Sequence, residues 1–255
     1  MKLGEFRNRK GKEKIIMLTA YDYQIAKILD EVAIDIILVG DSLGMVVQGY
    51  ADTKSVTMED MLYHTRAVVR GAKKTPIIGD MPFNSDSTIE DALRNAKSFL
   101  DAGAHGVKIE GKKTEVIKAL ISNGIPVMAH IGLLPQTAPA YRVRGKAPED
   151  AQKILQDAVQ LDKLGVFTMV LESIPEGLAK QITEAVDAPT IGIGAGKHCD
   201  GQVLVINDML GLDPTFSPKY VKRYANLNQM IMKAAKDFKQ EVKGGEYPDY
   251  EHTYH

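Results

Sequence analysis

Residues 15–42 read IIMLTAYDYQIAKILDEVAIDIILVGDS. Two short apolar runs, IIMLTA from Ile15 and IDIILVG from Ile34, flank a stretch of mixed polarity. Neither run shows the strict alternation of a half-exposed strand; both read as strands buried on two faces of a parallel sheet. Each run ends on polar residues, Tyr21-Asp22 after the first and Asp41-Ser42 after the second. The pattern recurs outward along the chain as TPIIGD (from Thr75), HGVKIE (His105), IPVMAH (Ile125), FTMVLE (Phe167), PTIGIG (Pro189) and VLVIND (Val203). Eight strands that alternate with helices define an α/β protein. The count of eight, with no linker or shift in composition, favours a closed (β/α)8 TIM barrel over an open doubly wound sheet. The expectation is one domain over residues 1–255 with extra C-terminal helices.

The stretches between the runs carry helix signals. Thr57 and Asp60 have the spacing of a capping box, ahead of Met58, Met61, Leu62, Thr65, Val68 and Val69 on one face. Ser87 and Glu90 repeat the spacing before Ala92, Leu93, Ala96 and Leu100. Pro148 suits a first helical turn leading to Ile154, Leu155, Ala158 and Leu161. Gly103, Gly124 and Gly165 stand where helices need a left-handed terminator. Leu227, Met230, Ile231, Ala234 and Phe238 share a face of a C-terminal helix, and the polar tail 244–255 reads as loosely held.

Composition narrows the function classes. A chain of 255 residues with 44% hydrophobic and 25% charged residues is an ordinary globular protein, close to the usual size of one TIM barrel. The formal net charge of −1 gives no electrostatic case for nucleic acid or an anionic membrane. Cys199 is the only cysteine, which excludes an internal disulfide and a multi-cysteine zinc site. The N-terminal stretch MKLGEFRNRKGKEK is basic but has no apolar run behind it, unlike a signal peptide. No apolar run approaches the roughly 20 residues of a membrane span.

Barrel enzymes work at the C-terminal ends of their strands. There this sequence places Tyr21-Asp22, Asp41-Ser42, Asp80, Lys108 with Glu110, His130 and Glu172, on strands one to six. Acidic residues after strands also serve as helix N-caps, so any one of them has a structural alternative. Asp41, Asp80 and Glu110 offer hard oxygen ligands without cysteines, which points to magnesium rather than zinc. A 2-oxo acid chelated to such an ion can lose a proton from the neighbouring carbon as an enolate. Lys108 adds positive charge beside the substrate oxygens. Glu172, at the end of an apolar strand where desolvation would favour its protonated form, is the candidate base. A mutual structural salt bridge is the alternative for Lys108 and Glu172. His130 ends a strand and has a case for ligand contact; His64, His105 and His198 have weaker ones. IGIGAGKHCDG (from Ile191) is a Gly-rich loop after strand seven, where many barrels bind anions, but it lacks the dinucleotide fingerprint. YRVRGK (from Tyr141) is a cationic segment that reads as a solvated loop or as a contact for an acidic substrate tail.

Taken together, these motifs resemble ketopantoate hydroxymethyltransferases. The resemblance rests on the block from Thr19 to Ala72 containing VGDSLG, and on GDMPF (Gly79), GVKIEG (Gly106), AHIGLLPQ (Ala129), LESIP (Leu171) and IGIGAGKHCDGQVLVINDMLG (Ile191). It extends, with short gaps, from about Met17 to about Pro218. It implies a TIM barrel that carries a one-carbon unit from 5,10-methylenetetrahydrofolate to 3-methyl-2-oxobutanoate, giving 2-dehydropantoate for pantothenate and coenzyme A. It implies magnesium on Asp41 and Asp80, with Glu110 in or beside the coordination shell. It further implies substrate contacts from Asp41, Ser42, Asp80 and Lys108, Glu172 as proton acceptor and His130 lining the site. Members are cytoplasmic and commonly decameric. The sequence departs from the family pattern at Lys112, Leu134, Thr137, Asn207 and the FNSDS run after Pro82. None of these is a proposed ligand or base. The rivals are a magnesium-dependent carbon–carbon or carbon–phosphorus lyase or mutase, and a non-catalytic small-molecule-binding barrel. Many such lyases use a cysteine between strands four and five, which this chain lacks.

Overall fold

A computed structural model describes residues 3–255. Met1 and Lys2, which begin the basic N-terminal stretch, lie outside the described residues. The chain forms two compact units, Met1–Val205 and Ile206–His255.

The first unit is a closed barrel of eight parallel strands in the order β1 to β8. The strands are β1 (Ile15–Thr19), β2 (Ile36–Val39), β3 (Ile77–Asp80), β4 (Gly106–Glu110), β5 (Val127–Gly132), β6 (Thr168–Glu172), β7 (Thr190–Ile193) and β8 (Gly201–Leu204). The helices between them are α1 (Tyr23–Glu31), the short α2 (Leu43–Val46), α3 (Met58–Gly71), α4 (Ile89–Asp101), α5 (Thr114–Ser122), α6 (Pro148–Lys163) and α7 (Glu176–Ala185). Every residue of β2, β3, β4 and β5 is buried, which is why their sequences lack alternation. Ile15, Met17, Ile36, Leu38, Ile78, Met128, Val170, Ile191 and Val203 form the inner core.

The N-terminal 3-10 turn Leu3–Arg9 delivers Leu3 and Phe6 to the same core, with Phe6 tilted against Phe167 at 6.5 Å between ring centroids. Polar clamps hold it against the residues that precede the strands. Arg7 donates to the Val166 carbonyl and Asp162, Arg9 pairs with Asp35 at 2.5 Å, and Lys10 pairs with Asp200 at 2.9 Å.

The helix signals hold where the chemistry is local. Thr57 and Asp60 form a reciprocal capping box, and Pro148 opens α6. Gly103, Gly124 and Gly165 take φ of +98°, +75° and +93°. The cap of α4 is one residue later than expected, because Thr88 accepts from the Asp91 N–H at 3.0 Å, and Ser87 bonds back to Asn84 instead. Phe99 then packs on β3, where a Cβ at Gly79 would lie 2.2 Å from its ring.

Two features of the eighth repeat differ from the expectation. Strand eight starts at Gly201, two residues before the VLVIND run, because Gly201 to Leu204 pair with Ile15 to Leu18. Ile206–Met209 is the short helix α8. Residues 194–200 then join β7 to β8 without a helix. On this flank Ile16 of β1 is 53% exposed, although its neighbours Ile15 and Met17 are buried.

The second unit contains α8 and α9 (Leu227–Gly244). The backbone of Tyr224 and Leu227 bonds back to Met209 and Leu210, and the Asn226 side chain caps α9. Met230, Ile231 and Phe238 are exposed on α9, and Tyr247 of the tail packs edge-on against Phe238. No helix among the described residues is long and apolar enough to cross a membrane.

Candidate active site

Strand register brings the expected polar residues together. In β4, Lys108 and Glu110 are two residues apart and so project to the same face. Asp80, the last residue of β3, is the register partner of Lys108, and Glu110 is that of His130. Glu172, the last residue of β6, is the partner of Gly132. At Gly132, with φ of +100°, a Cβ would lie 2.3 Å from the Glu172 carbonyl oxygen, so the two strand ends approach this closely only through a glycine.

The side chains form a continuous buried chain. Lys108 Nζ lies 2.7 Å from each oxygen of Asp80 and 3.9 Å from Glu110 Oε1. Asp80 Oδ2 also accepts from the Asp41 backbone N–H at 3.2 Å. His130 stands between two carboxylates, with Nδ1 3.4 Å from Glu110 Oε1 and Nε2 3.1 Å from Glu172 Oε2. Lys108 therefore pairs with Asp80 and Glu172 with His130, which removes the Lys108–Glu172 salt bridge as an alternative. Ser42 lies beside Asp41, and its Oγ is 2.8 Å from the Tyr21 hydroxyl. Glu172 is the most accessible of the group, its side chain 16% exposed against 3% for Glu110.

Electrostatics follow from this packing. Burial, reinforced by the charge of Asp80, raises the Asp41 carboxyl well above its ordinary value. Burial also raises Asp80, against the opposing pull of Lys108. Burial disfavours the Lys108 ammonium, yet Asp80, Glu110 and Asp41 raise it overall. Burial and Lys108 push the His130 imidazole down, and the Glu110 and Glu172 carboxylates outweigh them, so it is pushed up to about 9. Burial works against the Glu110 anion, but His130 and Lys108 hold it below the usual range.

The donor set fits a divalent cation. Four carboxylates, Asp41, Asp80, Glu110 and Glu172, share two cationic partners, Lys108 and His130; with every group ionised the excess is two negative charges, which a 2+ ion would balance and so favour the ionised forms of Asp41 and Asp80. Glu110 Oε1 is buried, and its neighbours His130 Nδ1 at 3.4 Å and Lys108 Nζ at 3.9 Å fall short of hydrogen-bond geometry. No group of three or more His, Cys, Asp or Glu among the described residues is arranged as a ready-made metal cage. Magnesium does not need one, since it commonly takes one or two carboxylates and completes its shell with water and substrate.

Other candidates have structural partners. His64 Nδ1 lies 2.6 Å from the Tyr21 carbonyl oxygen, and His105 Nδ1 accepts from the Ile77 N–H. The Gly-rich loop after β7 offers little to an anion, because Glu176 lies against Lys197 and His198 there. Cys199 is fully buried, and burial raises its thiol. In YRVRGK, Arg144 is committed to Asp150, while Tyr141 is exposed with its hydroxyl 3.8 Å from Met45 Sδ. Two departures from the family pattern each have an ion-pair partner elsewhere: Asp86 of FNSDS is buried and ion-paired with Lys113, and Lys112 pairs with Asp157 of α6. Ser173 follows Glu172 at φ of +48°, a left-handed conformation that costs a non-glycine residue about 1–3 kcal/mol.

Sequence reasoning missed Gln136. Its side chain is buried and donates to Asp41 Oδ2 at 2.9 Å and the Met81 carbonyl at 2.8 Å, and its backbone N–H donates to Glu110 Oε2 at 3.1 Å. The signal was present as the last residue of AHIGLLPQ, but an uncharged amide after a proline reads as loop.

A family model for ketopantoate hydroxymethyltransferase matches residues 1–250. The chain belongs to that family. Among curated relatives, the 3-methyl-2-oxobutanoate hydroxymethyltransferase of Clostridium kluyveri is 53% identical, over 96% of this chain and 90% of its own. The enzyme of the same name from Thermotoga neapolitana is 51% identical, over 100% and 96%. Solved structures share the fold alone. Phosphonopyruvate hydrolase, in complex with oxalate and Mg++, superposes with a TM-score of 0.65 at 12% identity over 99% of this chain and 93% of that one. For 2,3-dimethylmalate lyase, a PEP mutase/isocitrate lyase superfamily member, the TM-score is 0.63 at 16% identity over 99% and 92%. The ketopantoate hydroxymethyltransferase match thus covers the barrel and all six charged residues of the site.

Proposed function

We propose that this protein transfers a hydroxymethyl group from 5,10-methylenetetrahydrofolate to 3-methyl-2-oxobutanoate, giving 2-dehydropantoate. The observation that carries the reading is the chain of buried charges from Asp41 to Glu172 at the mouth of a barrel matched along nearly its whole length by that family. Asp41 and Asp80 would hold magnesium, with Glu110 in or beside its shell. When bound, the ion supplies Lewis-acid stabilisation of the negative charge that builds on the 2-oxo oxygen. Lys108 and Ser42 bind the acid at its oxygens. Glu172 accepts the proton from C3, and the His130 imidazole, its Nε2 3.1 Å from Glu172 Oε2, would orient that carboxylate. C3 then bonds to the folate methylene carbon. Both C–N bonds to that carbon break, water supplies the hydroxyl, and tetrahydrofolate leaves. The lyase and mutase neighbours share only the fold, and Cys199 is too deeply buried to act as a mobile acid.

Deuterium loss from C3-labelled 3-methyl-2-oxobutanoate tests the first half-reaction without folate. Magnesium-dependent loss is the expected result; loss that ignores a chelator, or no loss at all, overturns the mechanism. On the same family grounds the protein is a cytoplasmic homo-oligomer, a decamer. Exposed Met230, Ile231 and Phe238 support association, and a stable monomer in light scattering at micromolar concentration would count against it.

A further inference from the structure

The connection from β5 to α6, residues 133–147, crosses the mouth of the barrel between two anchors. At its far end the Arg144 N–H bonds the Ser173 carbonyl beside Glu172. At its near end lies Gln136, in a turn closed by the Thr137 and Ala138 N–H groups on the Leu134 carbonyl. Both protons of the Gln136 amide nitrogen are used, one on Asp41 Oδ2 and one on the carbonyl of Met81, which directly follows β3. Its backbone N–H is used on Glu110 Oε2. One residue thus joins the ends of β2, β3 and β4. It takes one oxygen each from Asp41 and Glu110, leaving Asp41 Oδ1, and Glu110 Oε1 in the space it shares with His130 Nδ1 at 3.4 Å and Lys108 Nζ at 3.9 Å, to face a ligand.

We propose that Gln136 is a positioning residue for the metal site, holding Asp41 and Glu110 at fixed orientation so that each presents a single oxygen to the cation. The inference rests on the magnesium reading above and deepens it. Two buried carboxylates near a third would otherwise rotate apart to relieve their repulsion. Two hydrogen bonds from Gln136, one to each carboxylate, oppose that rotation, the third anchors its amide on the Met81 carbonyl, and none adds charge. Groups that orient metal ligands in this way commonly change metal affinity by about 10–100-fold when removed. An isosteric apolar residue would keep the shape and the backbone N–H on Glu110 and lose the two side-chain donors, so it frees Asp41.

The test is Mn2+ binding, followed by electron paramagnetic resonance with and without 3-methyl-2-oxobutanoate, on wild type, Gln136→Met and Gln136→Asn. Methionine keeps the length of the side chain. Asparagine keeps the amide and the backbone N–H but cannot span the distance to Asp41, and it carries the test if the methionine variant does not fold. The expected result is binding weakened about 10–100-fold in the folded variants, with the folded state retained by circular dichroism at the assay temperature. Binding within twofold of wild type overturns the proposal. So does a loss of binding that only follows a loss of folded protein by circular dichroism. If the wild type binds no Mn2+ in either condition, the metal reading itself fails and the positioning role fails with it.

Discussion

The two ends of the barrel use charge differently. At the N-terminal ends of the strands cations pair with anions one by one: Arg7 with Asp162, Arg9 with Asp35, Lys10 with Asp200. Asp200 there accepts from Lys10, the Gly11 N–H and the N–H and hydroxyl of Thr190, and although burial opposes ionisation, these bonds hold its carboxyl below the usual range. At the C-terminal ends four carboxylates share Lys108 and His130, and Asp41 and Asp80 are raised. An end whose charges form separate pairs holds the fold. An end with unmatched charge stores it for a ligand.

The largest expected effect comes from breaking the mouth at its centre. Asp80→Ala removes a proposed metal ligand and strands the buried Lys108 ammonium. C3 exchange should fall to background, and stability should drop by about 3–5 kcal/mol, the usual cost of breaking a buried pair. Denaturant titration and the exchange assay measure the two losses. Full exchange by this variant in the presence of a chelator would end the metal assignment.

Glu172→Gln should separate activity from stability. It keeps the shape and removes the proton acceptor, so exchange should fall by roughly two to four orders of magnitude. The melting temperature should barely move, since Glu172 is the most accessible carboxylate of the site. If exchange survives while folate-dependent turnover collapses, Glu172 serves the folate half instead. If both survive, it is structural.

Asp200→Asn is the converse, with an expected loss of about 1–3 kcal/mol in stability and unchanged exchange. Its effect depends on pH in a definite direction. Asp200 is depressed in the folded protein, so its contribution is fully present above the unfolded Asp value of about 3.9 and is lost as pH falls through the lower folded value. The gap in melting temperature between wild type and variant should therefore be constant near neutrality and close in acid. A gap that widens in acid would contradict the depressed carboxyl.

Much of this was legible because strand burial and strand ends leave direct marks. The all-apolar runs announced a parallel sheet, and the polar residues that stop them marked the mouth. The segment after β7 reads as a Gly-rich loop, and residues 194–200 join β7 to β8 without a helix. The unread parts depend on partners distant in sequence. Strand eight was misplaced because Val203 to Ile206 is apolar throughout, whereas pairing with Ile15 begins at Gly201. The partners of Lys108 and Glu172 depend on register, and the contacts of Gln136 on how the β5–α6 connection folds back.

Register has a second consequence for this barrel. Lys108 and Glu110 are inward residues of β4, and Val107 and Ile109, which alternate with them, face the helices. A slip of one residue would exchange the two sets and drive an ammonium and a carboxylate into the apolar layer under α4 and α5. The charges assigned to chemistry therefore also act as an alignment key, rejecting misthreaded β3–β4–β5 ladders during assembly. Neutral replacements at Lys108 and Glu110 would remove that proofreading along with the reaction.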